Sequence, residues 1–460
     1  MKINPAGSGP VTASTPIGFG DALPAAADVV VIGGGVAGVF SALYLARSGH
    51  RVVLVEKGRI AGEQSSRNWG WIRQTGRDPD ELPVMMQAIK LWEEIDRECG
   101  GATGFKRMGT TYLASSEAEF VRMSAWGAVA KAAGLETRQL SAIEVSAMID
   151  QGGVAWQGRA HGWVGAMHTP SDARAEPSQA VPAIARLAQK SGVCIVENCA
   201  ARALDMAAGR IAGVFTEYGR VAANKAVLAG GAWSSLFLRR HGVIIPQLCV
   251  RASVARTVPL ANVGEANCAD EAMGWRRRAD GGYTLAPSDF HEFLIGPDAL
   301  RHFWRFLPTL KHSLGVTRLL PAAPLAYPDA WATQRHWDED AASPFEAMRV
   351  LDPAPNAKAI AGLQAKFAAR FPHLGVPAIA GAWAGMIDTM PDIVPVIDRA
   401  AKPEGLVIAT GLSGHGFGIG PGVGRIVADL VGEQRPVHDL TRFRLSRFSD
   451  GSKMRLGPSI

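Results

Sequence analysis

Six residues, Gly33-Gly34-Gly35-Val36-Ala37-Gly38, stand between an apolar run, Val29 to Ile32, and an Ala/Leu-rich stretch that leads to a second apolar run, Val52 to Val55, closed by Glu56. Residue types at that spacing can hold a dinucleotide. Gly33 permits a tight turn, Gly35 lets the backbone approach a pyrophosphate, and Gly38 lets a helix pack closely on a strand. The pyrophosphate then sits on the helix N-terminus, where Val36 and Ala37 add backbone donors. Glu56, followed by Lys57, is placed to accept hydrogen bonds from a ribose. The elements needed to position these groups are a strand, a glycine turn, a helix and a second strand, and the sequence supplies them in that order. The expectation is an ADP-containing cofactor.

Three further segments carry residues suited to the same ligand. Gly62-Glu63-Gln64-Ser65-Ser66-Arg67-Asn68-Trp69-Gly70-Trp71 reads as a polar, glycine-broken loop able to offer backbone and hydroxyl donors, with Trp69 or Trp71 as an apolar or cation-attracting wall. Ala226 to Ala229 reads as a buried strand running into Gly230-Gly231-Ala232-Trp233-Ser234, whose small residues let the chain pass close to a ligand. From Ile379 the dinucleotide pattern is expected to resume through Trp383, Gly385 and Asp388. A strand Leu406 to Thr410 follows, then Gly411 to Pro421 with Gly414-His415-Gly416-Phe417-Gly418, and a helix through Ile426 to Val431. That glycine-rich turn opens a second positive helix N-terminus, suited to partial negative charge. Asp388 either orients the loop or faces an ammonium group, or serves as a turn residue before Pro391. His415 either tunes the cofactor or contributes only backbone geometry.

The 460 residues exceed a typical single core, and 47% hydrophobic with 20% charged residues is ordinary for a globular chain. A net charge of +6 is spread among 42 acids, with Arg276-Arg277-Arg278 as the one dense cluster, which argues against a nucleic-acid stripe. Five cysteines lack metal-ligand spacing and read as reduced thiols, so no metal is expected and the compartment is expected to be cytoplasmic. Residues 1–27 read as a flexible or draped arm. Helical spacing covers Leu82 to Cys99, Ala118 to Ala133, Pro177 to Gln189, Ala299 to Leu307 and Ala357 to Ala369. The change of texture after Ile245 suggests a second domain inserted into the first. The fold class expected is α/β: a Rossmann-like cofactor domain, discontinuous in sequence (28–104, 165–244 and 376–440), with an inserted mixed-sheet α+β substrate domain (105–164 and 245–375) and a tail, 441–460.

In their order, the glycine fingerprint with Glu56, Leu228 to Ser234, and Gly411 to Pro421 with its Gly-His-Gly-Phe core resemble the flavoprotein amine and amino-acid oxidases and dehydrogenases of the D-amino-acid oxidase superfamily. That superfamily includes glycine oxidase, sarcosine oxidase and gamma-glutamylputrescine oxidase, and the resemblance spans roughly residues 28 to 435. The loop Ser65 to Trp71 is most similar to the gamma-glutamylputrescine oxidase branch. The resemblance implies an extended FAD, the loop of Ser65, Ser66, Arg67, Asn68, Gly70 and Trp71 beside its ring, backbone near Ala201 at the adenine, and the turn at Gly414 directed at the flavin N1/O2 edge. Ala229, Gly230, Trp233 and Gly385 complete the implied cofactor contacts. Where the glycine oxidase branch carries a carboxylate-gripping arginine, this chain has Ile387, so a substrate carboxylate is either absent or held by another cation, Arg251 or one of Arg276 to Arg278, with Arg277 taken as the candidate. The positions of covalent FAD attachment hold neither Cys nor His, which implies non-covalent FAD.

The expected reaction is oxidation of a primary or secondary amine or amino acid: hydride leaves the alpha carbon for flavin N5, and the imine hydrolyses. The electron acceptor would be oxygen or an electron-transfer partner. Oxidation of a 2-hydroxy acid, and a flavoprotein subunit that depends on a partner, are the alternatives.

Overall fold

The computed structural model describes residues 9–150 and 163–457; the first eight residues of the expected arm, residues 151–162 of the expected substrate domain and the last three of the tail lie outside them. Alternation within the first apolar run decides its place. Val29 and Val31 enter one hydrophobic cluster while Val30 and Ile32 enter another, so the strand Val29–Ile32 is buried on both faces, as central parallel strands are. It pairs in parallel with Val52–Val55 on one side and Lys225–Leu228 on the other, with Val29 opposite both Val52 and Lys225. Cys194–Val196 extends the sheet beyond Val52–Val55. Leu406–Thr410 and then antiparallel Val396–Arg399 extend it the other way, making six strands.

Helices Val36–Arg47, Leu82–Glu98, Pro177–Lys190 and Gly416–Val431 cover one face with a shared core. The first and last of these touch backbone to backbone, since a Cβ on Gly424 would lie 2.6 Å from the Phe40 carbonyl carbon. The other face carries the antiparallel strands Ala201–Ala207, Arg210–Thr216 and Gly219–Ala222.

The second large sheet is mixed and ten-stranded. Its two longest strands, Leu248–Thr257 and Ile379–Thr389, run antiparallel from the pair Leu248/Thr389 to Thr257/Ile379. Helix Ala357–Arg370 covers it, packing Leu363 and Phe367 with Trp275 and Tyr283. A mixed α/β fold of a Rossmann-like sheet and a large mixed sheet is thus observed.

Several expectations need correction. Gly165–Thr169 and Ile379–Thr389 are strands of the larger sheet, across the boundaries expected at 165 and 376; their small, apolar residues suit either sheet, and only the pairing partner decides. The helix expected over Ala299 to Leu307 is two, Pro297–Arg301 and Phe303–Ser313, joined at His302. Residues 9–27 are draped: Val11 and Phe19 are buried and the Asp21 N–H donates to the Ile195 carbonyl at 3.2 Å. The described part of the tail is packed as well, with Phe443 in the core and Arg447 paired to Asp392 at 2.9 Å. No helix among the described residues is long and apolar enough to cross a membrane.

Candidate functional site

A cavity of about 930 Å³ runs from the first glycine turn, between the two large sheets, to the strands Leu248–Thr257 and Ile379–Thr389. Backbone geometry builds its first end. Gly33 has φ 109°, which L side chains rarely adopt, and its missing Cβ would stand 2.4 Å from the Ala229 carbonyl oxygen. A Cβ on Gly38 would lie 1.9 Å from the Gly33 carbonyl oxygen. Gly35, Val36 and Ala37 open helix Val36–Arg47 onto the cavity, while the Val36 N–H donates to Ser65 Oγ at 2.9 Å.

Glu56 lies beside this turn. Its carboxylate accepts the N–H groups of Gly34 and Gly58, each at 2.7 Å. Burial pushes its pKa up to about 7, against the opposing pull of Lys57 and those two donors. Lys57 pairs with Glu63 at 2.7 Å and lies 4.4 Å from the centre of the Trp233 ring, whose indole N–H also donates to Glu63. Ala201, Ala229 and Gly230 line the same region.

The stretch read as a loop holds a one-turn helix, Gln64–Arg67, with Ser65, Ser66 and Arg67 buried. Part of its polarity is satisfied by the protein: the Arg67 guanidinium bonds the Gly62 and Glu63 carbonyls and lies 3.1 Å from Asp352. Asn68 closes the turn by accepting the Gly70 N–H at 2.8 Å. Ser65, Arg67, Asn68 and Trp71 reach the cavity. Ser66 turns away to accept the Val11 N–H at 3.1 Å, and Gly70 sits where a Cβ would meet the Ala175 carbonyl oxygen at 2.6 Å. Gly38 and Gly418 also stand behind the wall, the Gly418 carbonyl accepting the Trp92 indole N–H at 2.9 Å.

At the far end, Gly414, His415, Gly416 and Phe417 line the cavity where helix Gly416–Val431 begins. His415 Nδ1 lies 3.6 Å from a Glu81 oxygen, whose other oxygen lies 3.6 Å from Arg77 Nη1. Burial, reinforced by the charge on Arg77, pushes His415 down to about 4, so it is neutral near pH 7. Burial would raise Glu81, but Arg77 and His415 hold it below the ordinary carboxylate value. Asp388 is buried and accepts the Gly411 N–H at 2.8 Å and a Gln247 side-chain N–H at 3.0 Å; it orients the glycine turn. Gly385 and Ile387, on the same strand, also line the cavity.

Arg277 does not reach the cavity, which corrects the expectation that it meets substrate. Its guanidinium bonds the Leu260 carbonyl at 2.8 Å and lies over Tyr283. The other proposed anchors are committed to acids: Arg251 to Glu292, Arg276 to Glu176, and Arg278 to Asp280. Sequence reading missed Arg73, Arg77, Glu81, Tyr112 and Gln247. One signal was present for Arg73: Trp69, Trp71 and Arg73 alternate with Gly70 and Ile72, and the first three line the cavity while Ile72 is fully buried in the core. Trp69 meets Trp71 edge-on at 5.3 Å, and Trp71 meets Tyr112 at 6.1 Å, forming an aromatic wall.

A Rossmann-like sheet with a glycine turn, a buried acid at the end of the second strand and a long cavity opening from them define a dinucleotide-dependent protein. The chain belongs to the FAD dependent oxidoreductase family, DAO, which matches residues 28–430. It is similar to the glycine oxidase of Pseudomonas putida, 25% identical over 89% of this chain and 96% of that one. It is 23% identical to the mitochondrial sarcosine dehydrogenase of Mus musculus over 94% of this chain, and spans 42% of that protein's length. Among solved structures, the L-amino acid deaminase from Proteus myxofaciens in complex with anthranilate is 28% identical, with a TM-score of 0.88 over 96% of this chain and 98% of that one. The residues present fit FAD: the cradle at Gly33 and Gly38 admits no side chain, two helix N-termini face the cavity, and the Nε of Arg67 is buried without a partner among the described residues.

Proposed function

We propose that this protein oxidises the carbon–nitrogen bond of an amine or amino acid, with FAD held non-covalently. The observation that carries this reading is the continuity of one cavity from the dinucleotide cradle to the aromatic wall of Trp69, Trp71 and Tyr112. The names of the relatives, glycine oxidase, sarcosine dehydrogenase and L-amino acid deaminase, agree with a nitrogen-bearing substrate. When bound, FAD supplies the two-electron acceptor, so the chain need only bind, orient and desolvate the reacting carbon. Indole faces attract a cation and exclude water around it. The N-terminus of helix Gly416–Val431 offers partial positive charge at the opposite side of the cavity, with His415 uncharged beside it. The Ser65 to Trp71 motif supports a place in the gamma-glutamylputrescine oxidase-like branch, and the free thiols support a cytoplasmic setting.

The test is an anaerobic titration of the purified protein with amines, amino acids and 2-hydroxy acids, followed by visible flavin absorbance. Bleaching by a nitrogen-bearing substrate is expected, and admitting air then separates oxidation by oxygen from transfer to another acceptor. Bleaching by hydroxy acids alone overturns the reading.

A further inference from the structure

Alternation along the strand Met273–Arg277 sends Met273 and Trp275 into the core beneath helix Ala357–Arg370 and leaves Gly274 and Arg276 on the opposite face. Trp69, which lines the cavity, rests on that face. A Cβ on Gly274 would stand 2.7 Å from Trp69 Cζ3 and 3.3 Å from Cη2, so the six-membered ring lies directly on the glycine. Gly274 pairs with Ala269 on one side and Ala286 on the other, and the Trp69 ring also packs on the cluster of Val254, Ala286 and Trp383. Small residues side by side on neighbouring strands thus let a large ring lie back against the sheet.

The backbone that carries this ring is held. Arg276, fully buried, donates from Nε to the Trp69 carbonyl at 2.7 Å and from Nη1 and Nη2 to the Glu176 oxygens at 2.8 and 3.1 Å. Gly70 passes so close that a Cβ there would lie 2.9 Å from Arg276 Cζ, and its carbonyl accepts the Ala175 N–H at 2.9 Å. With the backbone fixed and the sheet behind it, the ring can yield only towards the cavity and Trp71, whose ring centre is 5.3 Å away. An added methyl group at position 274 is therefore accommodated at the expense of cavity width.

We infer that Gly274 is a specificity-determining position: having no side chain, it seats Trp69 against the sheet and leaves room beside the reacting carbon for a bulky, flat substrate body. It acts through Trp69 and is a positioning residue. The inference rests on the proposed function, which places a substrate against this wall.

Benzamidine and 1-naphthamidine, planar cations whose amidine carbon bears no hydrogen to lose, test it when titrated calorimetrically into the FAD-loaded protein and its variants. They differ by one fused ring. The native protein is expected to bind the naphthyl probe at least as tightly as the smaller one. Gly274→Ala should weaken the naphthyl probe by about tenfold or more, with benzamidine changed by less than about threefold, as overpacking of a filled site predicts. Adding Trp69→Leu to Gly274→Ala should restore naphthyl binding, because the clash needs both partners. Trp69→Leu alone should raise the preference for the naphthyl probe, and it carries the test if Gly274→Ala fails to retain FAD. Equal losses for both probes, a naphthyl loss that persists in the double variant, a preference unmoved by Trp69→Leu, or a native protein that excludes the naphthyl probe overturns the assignment. Selectivity governed by Gly274 in a protein that no amine bleaches would refute the reaction class and leave the role of Gly274 standing; bleaching by amines with selectivity indifferent to Gly274 would do the reverse.

Discussion

The two ends of the cavity are built by different means. The nucleotide end is mostly backbone: the turn at Gly33 to Gly38, the N-terminus of helix Val36–Arg47 and Glu56 all come from one stretch of 28 residues, and their spacing is fixed by the strand, turn and helix that carry them. The far end is mostly side chains, with Trp69, Arg73, Arg77, Tyr112, Ile387 and His415 arriving from segments up to several hundred residues apart. Backbone sites tolerate no added atoms, whereas side-chain sites can be re-aimed one residue at a time. On the proposed reading the first end holds FAD, and the second is free to choose a substrate.

Substitutions can break that division. The largest effect is expected at Gly38→Val: with a Cβ 1.9 Å from the Gly33 carbonyl oxygen, the helix cannot stay on its strand. The variant should lose bound FAD and more than about 4 kcal/mol of stability, read by flavin absorbance and thermal unfolding. Full retention of FAD would break the backbone account of this end.

A smaller effect is expected on acidification. The folded-state pKa of His415 is pushed down to about 4 from 6.5, mainly by burial. The unfolded chain therefore binds the extra proton first, and the contribution of neutral His415 is lost as pH falls from about 6.5 towards 4. His415→Gln should flatten that part of the stability curve by an amount on the order of 2 kcal/mol. Glu56 works in the opposite sense: its folded-state pKa is raised to about 7, so its contribution favours the folded state as pH falls through 7 and is lost as pH rises through that value. Denaturant titrations of native and His415→Gln protein across pH 4 to 8 separate the two slopes, and parallel curves would contradict the His415 assignment.

Arg277→Ala sharpens the comparison by doing little. Its guanidinium caps carbonyls and a tyrosine ring away from the cavity, so the loss should be within about 1 kcal/mol with no change in flavin reduction. A fall in the rate of reduction would return Arg277 to the site.

The same contrast explains what the sequence disclosed. Strand Leu406–Thr410 and the turn after it were readable because apolar runs and glycines are local signals. Strand Ile379–Thr389 joins the larger sheet although the motifs around it belong to the other, because its alanines and glycines suit either and only pairing with Leu248–Thr257 decides. Asp388 stands out in the sequence, but its role is set by Gly411 and Gln247, which come to its carboxylate from other segments. Arg276 to Arg278 looked like available cations, yet tertiary contacts commit Arg276 and Arg278 to Glu176 and Asp280. Arg73 carried a local signal, alternation with Trp69 and Trp71, that is faint in a segment whose polar residues suggest a loop.

The central claim is that one end of the cavity retains FAD while the other selects and orients substrate. Trp71→Ala tests it most directly, by recording the flavin spectrum of the variant and its rate of anaerobic bleaching by a substrate of the native protein. The account predicts an unchanged flavin spectrum and a rate lower by about 100-fold, since removing a buried wall misplaces the reacting carbon. Loss of FAD, or a rate equal to that of the native protein, would contradict it.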